Sequence, residues 1–253
     1  MERINRYLIM GASSEVGLSF LRLLDKRAEN GQLPEKIEVA VHYCSNDQEL
    51  KALEAEAKHL SFSYLPCDLC DENQVEELVK KLSVMETPQG FLYLPAGRMK
   101  YEKLKKMDIA RLDQDYQIQV RALAMIAKEV LPAMAKAKFG KVAVMLSECT
   151  LGMPPRFMAE YVTVKYAALG LMKALSLEYA DKNVNVNGLS PAMMETKFLS
   201  DIDERFVVLN AQESVKKRNA TVEEAAEALA FLMSKGSDYM NGVNLNLSGG
   251  NRG

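Results

Sequence analysis

Three side chains between positions 147 and 165 have the types and the spacing for acid–base chemistry: Ser147, Tyr161 and Lys165. Residues 140–146 form a short apolar run that begins with glycine, which is typical of a buried strand. From residue 161 to residue 179, apolar side chains recur at the spacing of one helix face. We therefore expect Ser147 at the carboxyl end of a strand, and Tyr161 and Lys165 on one side of the following helix.

Together these groups suit the donation of a proton to a carbonyl oxygen. A phenol has a pKa of roughly 10, so it is a poor acid catalyst at neutral pH. An ammonium group beside it favours the phenolate and lowers that pKa toward the working range. Ser147 would hydrogen-bond the carbonyl and orient it toward Tyr161 while a hydride reaches the carbonyl carbon. The trio thus predicts a carbonyl reduction with Tyr161 as the acid.

The alternative is that this Tyr-x-x-x-Lys pattern has no chemical role, because the pattern is a weak signal by itself. The chain contains a second copy at Tyr101 and Lys105. That copy lies in a charged run, and no strand delivers a serine ahead of it, so we interpret it as a solvated segment. The strand and the serine that precede Tyr161 set the first copy apart.

The composition is ordinary for a globular protein, with 48% hydrophobic and 26% charged residues among 253. A net charge of −2 gives no general attraction for nucleic acid or anionic membranes. No apolar run approaches the roughly 20 residues that span a bilayer, and the first residues lack the parts of a secretion signal. We expect a cytoplasmic protein whose partners include neither nucleic acid nor a membrane.

The cysteines suggest a metal or redox site only through the pair Cys67-x-x-Cys70. His42 and Cys44 would lie near this pair if their strands are neighbours. A zinc site needs a second close pair of ligands, and the sequence offers none at the usual spacing. We predict reduced structural thiols and no metal.

A second motif, Gly11-Ala-Ser-Ser-Glu-Val-Gly17, follows an apolar strand at residues 7–10 and opens a helix. A strand, a glycine turn and a helix in this order direct backbone N–H groups and a helix N-terminus at a phosphate. Gly11 allows the tight turn, and Gly17 lets the helix pack closely on the strand. The alternative is an ordinary turn that contains two glycines.

Strands and helices alternate along the whole chain. Apolar or alternating runs predict strands at residues 7–10, 36–43, 61–67, 91–97, 140–146, 184–191 and 242–247. Helical patterns separate them, including one long helix just before residue 140 and a last helix that opens with a capping box at Thr221. We predict an α/β fold, in which a single doubly wound parallel sheet carries helices on both faces, as one domain of residues 1–253.

In this order, these features resemble those of the short-chain dehydrogenase/reductase family over essentially the whole chain. The motifs that carry the resemblance are the loop 11–17, Asp68-Leu69, the turn 95–97, the trio, the segment 190–196 and the ending 247–250. Within the family, the sequence is most similar to bacterial 3-oxoacyl-(acyl-carrier-protein) reductases. The resemblance implies a Rossmann-like fold and an NAD(P)H-dependent reduction of a ketone to a secondary alcohol. The implied substrate is a 3-oxoacyl thioester or a similar small apolar ketone.

The resemblance also implies roles for individual residues. Catalysis is expected from Ser147, Tyr161, Lys165 and Gln119, the last of which aligns with an asparagine that holds a water beside the lysine. Cofactor contacts are expected from Gly11, Ser13, Ser14, Val16, Gly17, Tyr43, Cys44, Ser45, Asp68, Leu69, Pro95, Ala96, Gly97, Tyr161, Lys165, Pro191, Met194 and Thr196.

Five positions depart from the family's pattern, and one of them is Met10, which replaces a threonine before the glycine loop. Glu15 and Ala192 replace glycines, and Pro95 and Gln119 replace asparagines. A carboxylate at position 15 would repel a pyrophosphate. Gln119 carries the same amide on a longer stem, so it either continues the relay or is a satisfied polar residue without a catalytic part. The alternative function is therefore a catalytically impaired nucleotide-binding scaffold or regulatory protein of the same fold.

The end of the second strand bears on the choice of cofactor. In the family an acidic residue there favours NAD, because it accepts hydrogen bonds from the ribose hydroxyls. Tyr43 stands at this position and Cys44 follows it, without an arginine to attract a 2′-phosphate and with Asp47 close by. We expect NADP(H) in preference to NAD(H).

Two further expectations concern the periphery of the molecule. Residues 193–218 mix apolar and charged stretches, which predicts a short amphipathic helix that closes on the substrate as a lid, or else a surface helix that never moves. Met193 and Met194 would give this lid an adaptable apolar wall. Small residues on the helices near 115–135 and 161–180 fit the homo-tetramer or homo-dimer that the resemblance implies, or else simple packing on the parent sheet.

Overall fold

A computed structural model of the protein describes residues 4–251 and contains one parallel sheet. Its strands are β1 (Arg6–Met10), β2 (Ile37–Tyr43), β3 (Leu60–Pro66), β4 (Gly90–Tyr93), β5 (Gly140–Met145), β6 (Val184–Pro191) and β7 (Asn244–Leu247). All pair in parallel, in the order β3-β2-β1-β4-β5-β6-β7. The predicted doubly wound α/β fold is confirmed.

Helices cover both faces of this sheet. They are α1 (Glu15–Glu29), α2 (Gln48–Glu56), α3 (Glu72–Ser83), α4 (Ile109–Tyr116), α5 (Ala122–Ala137), α6 (Ala159–Tyr179), α7 (Glu204–Glu213) and α8 (Val222–Leu232). Side chains of α1, α2 and α8 share one core with the sheet, and those of α3, α5 and α6 share the core on the other face. Both faces of the strands are buried, so their sequences are continuous apolar runs. In β1, for example, Leu8 and Met10 enter one core while Tyr7 and Ile9 enter the other.

The strand order reverses between β1 and β4. The chain moves from β1 outward to β2 and β3, and then returns to pair β4 with the opposite side of β1. The connections therefore diverge at the carboxyl end of β1, where they leave a crevice. The glycine loop that follows Met10 lies at this crevice, so the topology positions the loop for ligand binding.

The long helix expected before residue 140 is interrupted. Between α4 and α5, the segment Gln117–Arg121 forms a π turn, in which the N–H of Ala122 donates to the carbonyl of Gln117, five residues back. The buried Tyr93 hydroxyl donates to the carbonyl of Ile118 within this turn. Such wide turns often occur at functional sites, and this one carries the buried side chain of Gln119.

The start of the last helix agrees with its prediction. The Thr221 side chain accepts a hydrogen bond from the N–H of Glu224, and the Glu224 carboxylate accepts one from the N–H of Thr221. Each side chain thereby satisfies a backbone donor that the first helical turn leaves without an intrahelical partner. The capping box read from the sequence is confirmed.

Candidate active site

A cavity of about 480 Å³ opens at the carboxyl ends of the strands. It is lined by most of the residues expected at the site: Gly11, Ser13, Ser14, Val16, Tyr43, Cys44, Asp68, Leu69, Pro95, Ala96, Ser147, Tyr161, Lys165, Pro191, Met194 and Thr196. Four expected residues do not line it, namely Gly17, Ser45, Gly97 and Gln119. Parallel strands thus bring together segments that are almost 190 residues apart in the sequence.

Two of these four residues are glycines that permit close packing beside the cavity. A Cβ at Gly17 would lie 2.5 Å from the carbonyl oxygen of Ala12, so any side chain would push α1 away from the loop. A Cβ at Gly97 would lie 1.9 Å from the Oδ1 atom of Asp115. Both glycines therefore allow close packing of segments next to the cavity without lining it.

The trio Ser147, Tyr161 and Lys165 converges at one end of the cavity. Ser147 lies two residues beyond the end of β5, and its Oγ accepts a hydrogen bond from the N–H of Cys149 at 3.3 Å. The side chains of Ser147 and Tyr161 share a hydrogen bond. The Lys165 Nζ lies 5.7 Å from the centroid of the Tyr161 ring and donates to the carbonyl of Met145 at 2.9 Å. This arrangement can orient a carbonyl and donate a proton to it.

The protonation of the trio differs from the expectation that Lys165 lowers the pKa of Tyr161. Burial raises the pKa of the Tyr161 phenol above its usual value, and the hydrogen bond from Ser147 opposes that rise only in part. Burial also lowers the pKa of Lys165 to about 8. Desolvation outweighs the charge of the neighbour because both groups lie almost entirely out of water. Tyr161 therefore keeps its proton at neutral pH, as a proton donor must.

Gln119 lies in the π turn between α4 and α5, with 3% of its surface exposed. Neither its amide oxygen nor its amide nitrogen has a hydrogen-bond partner among the described residues. A buried amide without partners costs free energy, so a site of this kind is suited to an ordered water. The alternative in which Gln119 is a satisfied polar residue does not fit this environment.

The glycine loop has the geometry of a phosphate cradle. Gly11 adopts a φ of +72°, and a Cβ there would lie 3.2 Å from the nitrogen of Pro95. Ser14 caps α1 by accepting a hydrogen bond from the N–H of Gly17 at 3.1 Å. The N-terminus of α1 thus faces the cavity beside a backbone without a side chain, which fits the phosphates of a dinucleotide.

Glu15 is the one feature of this loop that opposes a phosphate. Its Oε1 accepts a hydrogen bond from the N–H of Lys197 at 2.9 Å. The ammonium group of Lys197 in turn lies 2.8 Å from the Oε1 of Glu49. The Glu15 carboxylate therefore spans the cleft from α1 to the segment that follows β6, and it adds negative charge to the cavity wall.

His42 joins the glycine loop to the end of β3, a role that the sequence did not indicate. Its Nδ1 accepts the N–H of Gly11 at 3.0 Å, and its Nε2 lies 2.9 Å from the carbonyl oxygen of Cys67. These partners require a neutral ring with its proton on Nε2. Burial lowers the pKa of His42 to about 4, because the charged ring would lack water.

We expect His42 to make the free energy of unfolding depend on pH. The ordinary pKa of histidine is about 6.5, so only the unfolded chain takes up this proton as the pH falls from about 6.5 toward 4. The stabilisation is complete above pH 6.5 and decreases below it, by about 3 kcal/mol near pH 4. Urea unfolding of His42→Asn should show a correspondingly flatter pH dependence. His59→Asn, at the other histidine, is the control, and equal curves for wild type and His42→Asn would contradict the assignment.

The far end of the cavity, near β2, combines neutral side chains with the carboxylate of Asp68. Tyr43 and Cys44 line it, as expected from the sequence. The Asp47 carboxylate, which follows closely, lies 2.8 Å from the ammonium of Lys51. This ion pair neutralises the Asp47 carboxylate, which the sequence places close to the end of β2.

Apolar side chains line the part of the cavity above Tyr161. Met99, Cys149, Met158, Tyr161, Leu199 and Ile202 form a separate buried cluster, against which Tyr101, Val162, Met193, Phe198 and Val207 pack. The prediction of a solvated segment at the second Tyr-x-x-x-Lys copy is therefore wrong for Tyr101. Its ring lies 5.6 Å from that of Phe206 in α7, and it lines the cavity, whereas Lys105 is exposed.

No helix within residues 4–251 is long and apolar enough to cross a membrane. No three side chains of His, Cys, Asp or Glu in the same range converge so that they could hold a metal ion.

Comparison with known proteins identifies relatives over most of the chain. The family model described as enoyl-(acyl carrier protein) reductase, of the short-chain dehydrogenase type, matches residues 33–252. The 3-oxoacyl-[acyl-carrier-protein] reductase FabG of Rickettsia prowazekii is 26% identical over 243 residues, which are 96% of this chain and 95% of that protein. Dehydrogenase/reductase SDR family member 4 of Bos taurus is 35% identical over 143 residues, 54% of this chain and 50% of that protein.

Solved structures share the fold. Levodione reductase superposes with a TM-score of 0.84 at 21% identity and covers 97% of this chain and 96% of its own. Acetoin dehydrogenase YohF from Salmonella typhimurium gives a TM-score of 0.79 at 20% identity. The match covers 99% of this chain and 97% of that protein. At this identity the likeness establishes the architecture, so the chemistry must be argued from the site itself.

Proposed function

The chain is an oxidoreductase of the short-chain dehydrogenase/reductase family. We propose that it reduces a ketone to a secondary alcohol with NADPH. The observation that supports this proposal is the hydrogen bond between the side chains of Ser147 and Tyr161, with Lys165 beside the Tyr161 ring. Tyr161 keeps its proton in this arrangement because burial raises the pKa of its phenol. A neutral phenol suits reduction, because in that direction the tyrosine must give a proton away.

Each member of the trio has a separate task in this proposal. Ser147 donates a hydrogen bond to the substrate carbonyl and holds its oxygen near Tyr161. Tyr161 gives its hydroxyl proton to that oxygen, and the ammonium of Lys165 stabilises the phenolate that remains. The bound nicotinamide would supply the hydride. Gln119 holds a water behind Lys165, through which a proton returns from solvent.

The proposed substrate is a 3-oxoacyl thioester or a similar small apolar ketone. Support comes from the apolar cluster above Tyr161, in which Met99, Met158 and Leu199 line the cavity and offer no polar group to recognise a sugar hydroxyl. Further support is the activity of the FabG relative from Rickettsia prowazekii, a 3-oxoacyl-[acyl-carrier-protein] reductase.

The preference for NADPH over NADH rests on the end of β2. Tyr43 and Cys44 present no carboxylate to a 2′-phosphate, and Asp47 is paired with Lys51 at 2.8 Å. The ammonium of Lys51, next to Asp47, is the group that a phosphate on the ribose would attract there, whereas the Asp68 carboxylate on the cavity wall opposes it.

The segment 193–218 serves as a lid in this proposal. It contains α7, and Leu199 and Ile202 anchor it on the apolar cluster. The helix α7 itself buries no residue, so its charged side chains face water and Phe206, Val208 and Leu209 are about half exposed. Bound NADPH and substrate should protect residues 197–218 from limited proteolysis. Equal cleavage with and without ligands would exclude a closing lid.

We also propose that the protein assembles as a homo-dimer or homo-tetramer through α5 and α6. Leu177 on α6 is 82% exposed, and a Cβ at Gly170 would meet nothing within 4 Å, so part of this face has no packing partner within the chain. Light scattering should give a multiple of 28.2 kDa, whereas a monomer at micromolar concentration would exclude this assembly.

Calorimetric titration with NADPH and NADH, followed by NADPH oxidation in the presence of acetoacetyl-CoA, tests the proposed function. We expect tighter binding of NADPH than of NADH, and turnover of the thioester. Binding without turnover of this substrate or of a panel of other ketones would favour the scaffold alternative, for which Glu15 and Gln119 are the grounds. Absence of binding to either nucleotide would contradict both functions.

A further inference from the structure

Three polar side chains next to Ser147 form a closed ring, namely those of Thr150, Ser190 and Asn244. The Asn244 amide nitrogen donates to the Thr150 Oγ1 at 2.9 Å, and the Ser190 hydroxyl donates to the Asn244 Oδ1 at 2.6 Å. The hydroxyl oxygens of Thr150 and Ser190 lie 3.1 Å apart, which closes the ring. Thr150 and Ser190 are buried, and none of the three side chains lines the cavity.

The ring directs one proton at Ser147. The Thr150 hydroxyl accepts from the Asn244 amide and donates its own proton to the backbone carbonyl of Ser147 at 2.8 Å. The N–H of Thr150 donates to the same carbonyl at 2.9 Å. An amide nitrogen can only donate and a hydroxyl has a single proton, so Asn244 commits the Thr150 proton to Ser147.

Ser147 depends on these bonds because it lies beyond the sheet. β5 ends at Met145, and the N–H of Leu146 donates to the carbonyl of Leu189 at 2.7 Å. The Oγ of Ser147 accepts the N–H of Cys149 at 3.3 Å, which is long for a bond of this kind. The two bonds to the Ser147 carbonyl are shorter, so they fix the backbone from which the hydroxyl projects.

We propose that Thr150, Ser190 and Asn244 are positioning residues that hold Ser147 at hydrogen-bond distance from Tyr161. Ser190 lies in β6 and Asn244 in β7, so the ring ties Ser147 to two strands of the sheet. The inference rests on the proposed function for its catalytic meaning, because there Ser147 must orient the carbonyl. A reacting group misplaced by about 1 Å can cost a hundredfold in rate, which makes such a tie consequential.

Two substitutions remove the same bond in different ways. Thr150→Val keeps the branched shape of the side chain and lacks the hydroxyl that reaches Ser147. Asn244→Asp keeps the size of the side chain, but at pH 8 its carboxylate can only accept. It therefore attracts the Thr150 proton and withdraws it from Ser147. Thr150→Ser retains the hydroxyl and should restore the behaviour of the wild type.

The first measurement concerns the Tyr161 phenol in the absence of substrate. In enzyme labelled with ¹³C at the Cζ of tyrosine, NMR reports the hydrogen bonding of each phenol, and Tyr161→Phe identifies the resonance. We expect this resonance to move in Thr150→Val and in Asn244→Asp, because the bond between Ser147 and Tyr161 lengthens. It should coincide with wild type in Thr150→Ser. A ring that only stabilises the fold would leave it in place.

The second measurement is the reduction of acetoacetyl-CoA by NADPH. Thr150→Val should lose about tenfold in kcat, whereas its KM for NADPH should stay within twofold of wild type. The two constants separate because Ser147 orients the ketone, and the nucleotide loop lies on another segment. Thr150→Ser should recover the wild-type kcat.

Thr163→Val is the matched control. The Thr163 hydroxyl also donates to a backbone carbonyl, that of Ala159 at 2.7 Å, but Thr163 is an exposed residue of α6 that does not line the cavity. Neither the Tyr161 resonance nor kcat should change in this variant.

An unmoved Tyr161 resonance in Thr150→Val, or a shift that Thr150→Ser fails to reverse, would mean that the ring is only structural and would overturn the inference. If circular dichroism shows that Thr150→Val does not fold, Asn244→Asp decides alone through the same resonance. A wild type without turnover would contradict the proposed function, whereas the NMR result would stand independently.

Discussion

Replacement of Tyr161 by phenylalanine is expected to lower kcat for ketone reduction by about three orders of magnitude. Phenylalanine preserves the ring that packs 6.0 Å from Phe198 in the apolar cluster, and it removes only the hydroxyl that bonds to Ser147. The variant therefore loses the proton donor but keeps the walls of the cavity. Stopped-flow measurement of NADPH oxidation by acetoacetyl-CoA, with parallel titration of NADPH, separates the lost chemical step from nucleotide binding, which should be nearly unchanged.

Tyr166→Phe provides the matched control for this experiment. Tyr166 lies on the same helix, α6, but it is 43% exposed and does not line the cavity. The same chemical change should leave kcat close to wild type there. A Tyr161→Phe variant that retains kcat within a few-fold of wild type would show that another group donates the proton.

The sequence predicted the parts of the site that local patterns determine. Ser147 follows an apolar run, and Tyr161 and Lys165 lie four residues apart at the start of a helix, so their positions depend on strand and helix periodicity alone. The glycine loop was predicted for the same reason, because Gly11 and Gly17 bracket a strand-to-helix turn. The topology followed, since alternating strands and helices allow few other arrangements.

What the sequence did not reveal depends on contacts between distant segments. Gly11 and His42 are 31 positions apart, and nothing in either neighbourhood indicates that the imidazole accepts the N–H of Gly11. The π turn before α5 accompanies the hydrogen bond from the Tyr93 hydroxyl to Ile118, which no helical pattern contains. The pKa of Tyr161 was expected to fall because the charge of Lys165 is visible in the sequence, whereas the burial that raises it is not.

Glu15 is the departure from the family's pattern that we expect to have the greatest effect on nucleotide binding. It occupies the first turn of α1, whose N-terminus carries a partial positive charge that attracts phosphate. A carboxylate at the same place offsets that attraction. Its hydrogen bond to the N–H of Lys197 holds it across the cleft, and the ammonium of Lys197 is occupied by Glu49 at 2.8 Å.

We therefore expect Glu15→Gln to bind NADPH about tenfold more tightly than wild type. Glutamine retains an oxygen that accepts the N–H of Lys197, so the segment after β6 stays in place and only the charge is lost. At an effective dielectric constant near 20, one charge several ångströms from a pyrophosphate costs on the order of 1–2 kcal/mol after screening, which corresponds to this factor. Calorimetric titration of both proteins with NADPH measures the change.

Salt provides the check that the gain is electrostatic. The affinity ratio between Glu15→Gln and wild type should shrink as the ionic strength rises from about 0.01 M to 1 M, because screening at the higher value limits the interaction to about 3 Å. Glu29→Gln, at the opposite end of α1, removes the same charge far from the cavity and should leave the affinity unchanged. A ratio that does not depend on salt, or a weaker affinity in Glu15→Gln, would mean that the carboxylate supports nucleotide binding through its contact with Lys197. In that case the replaced glycine is an adaptation of the loop and not a loss of function.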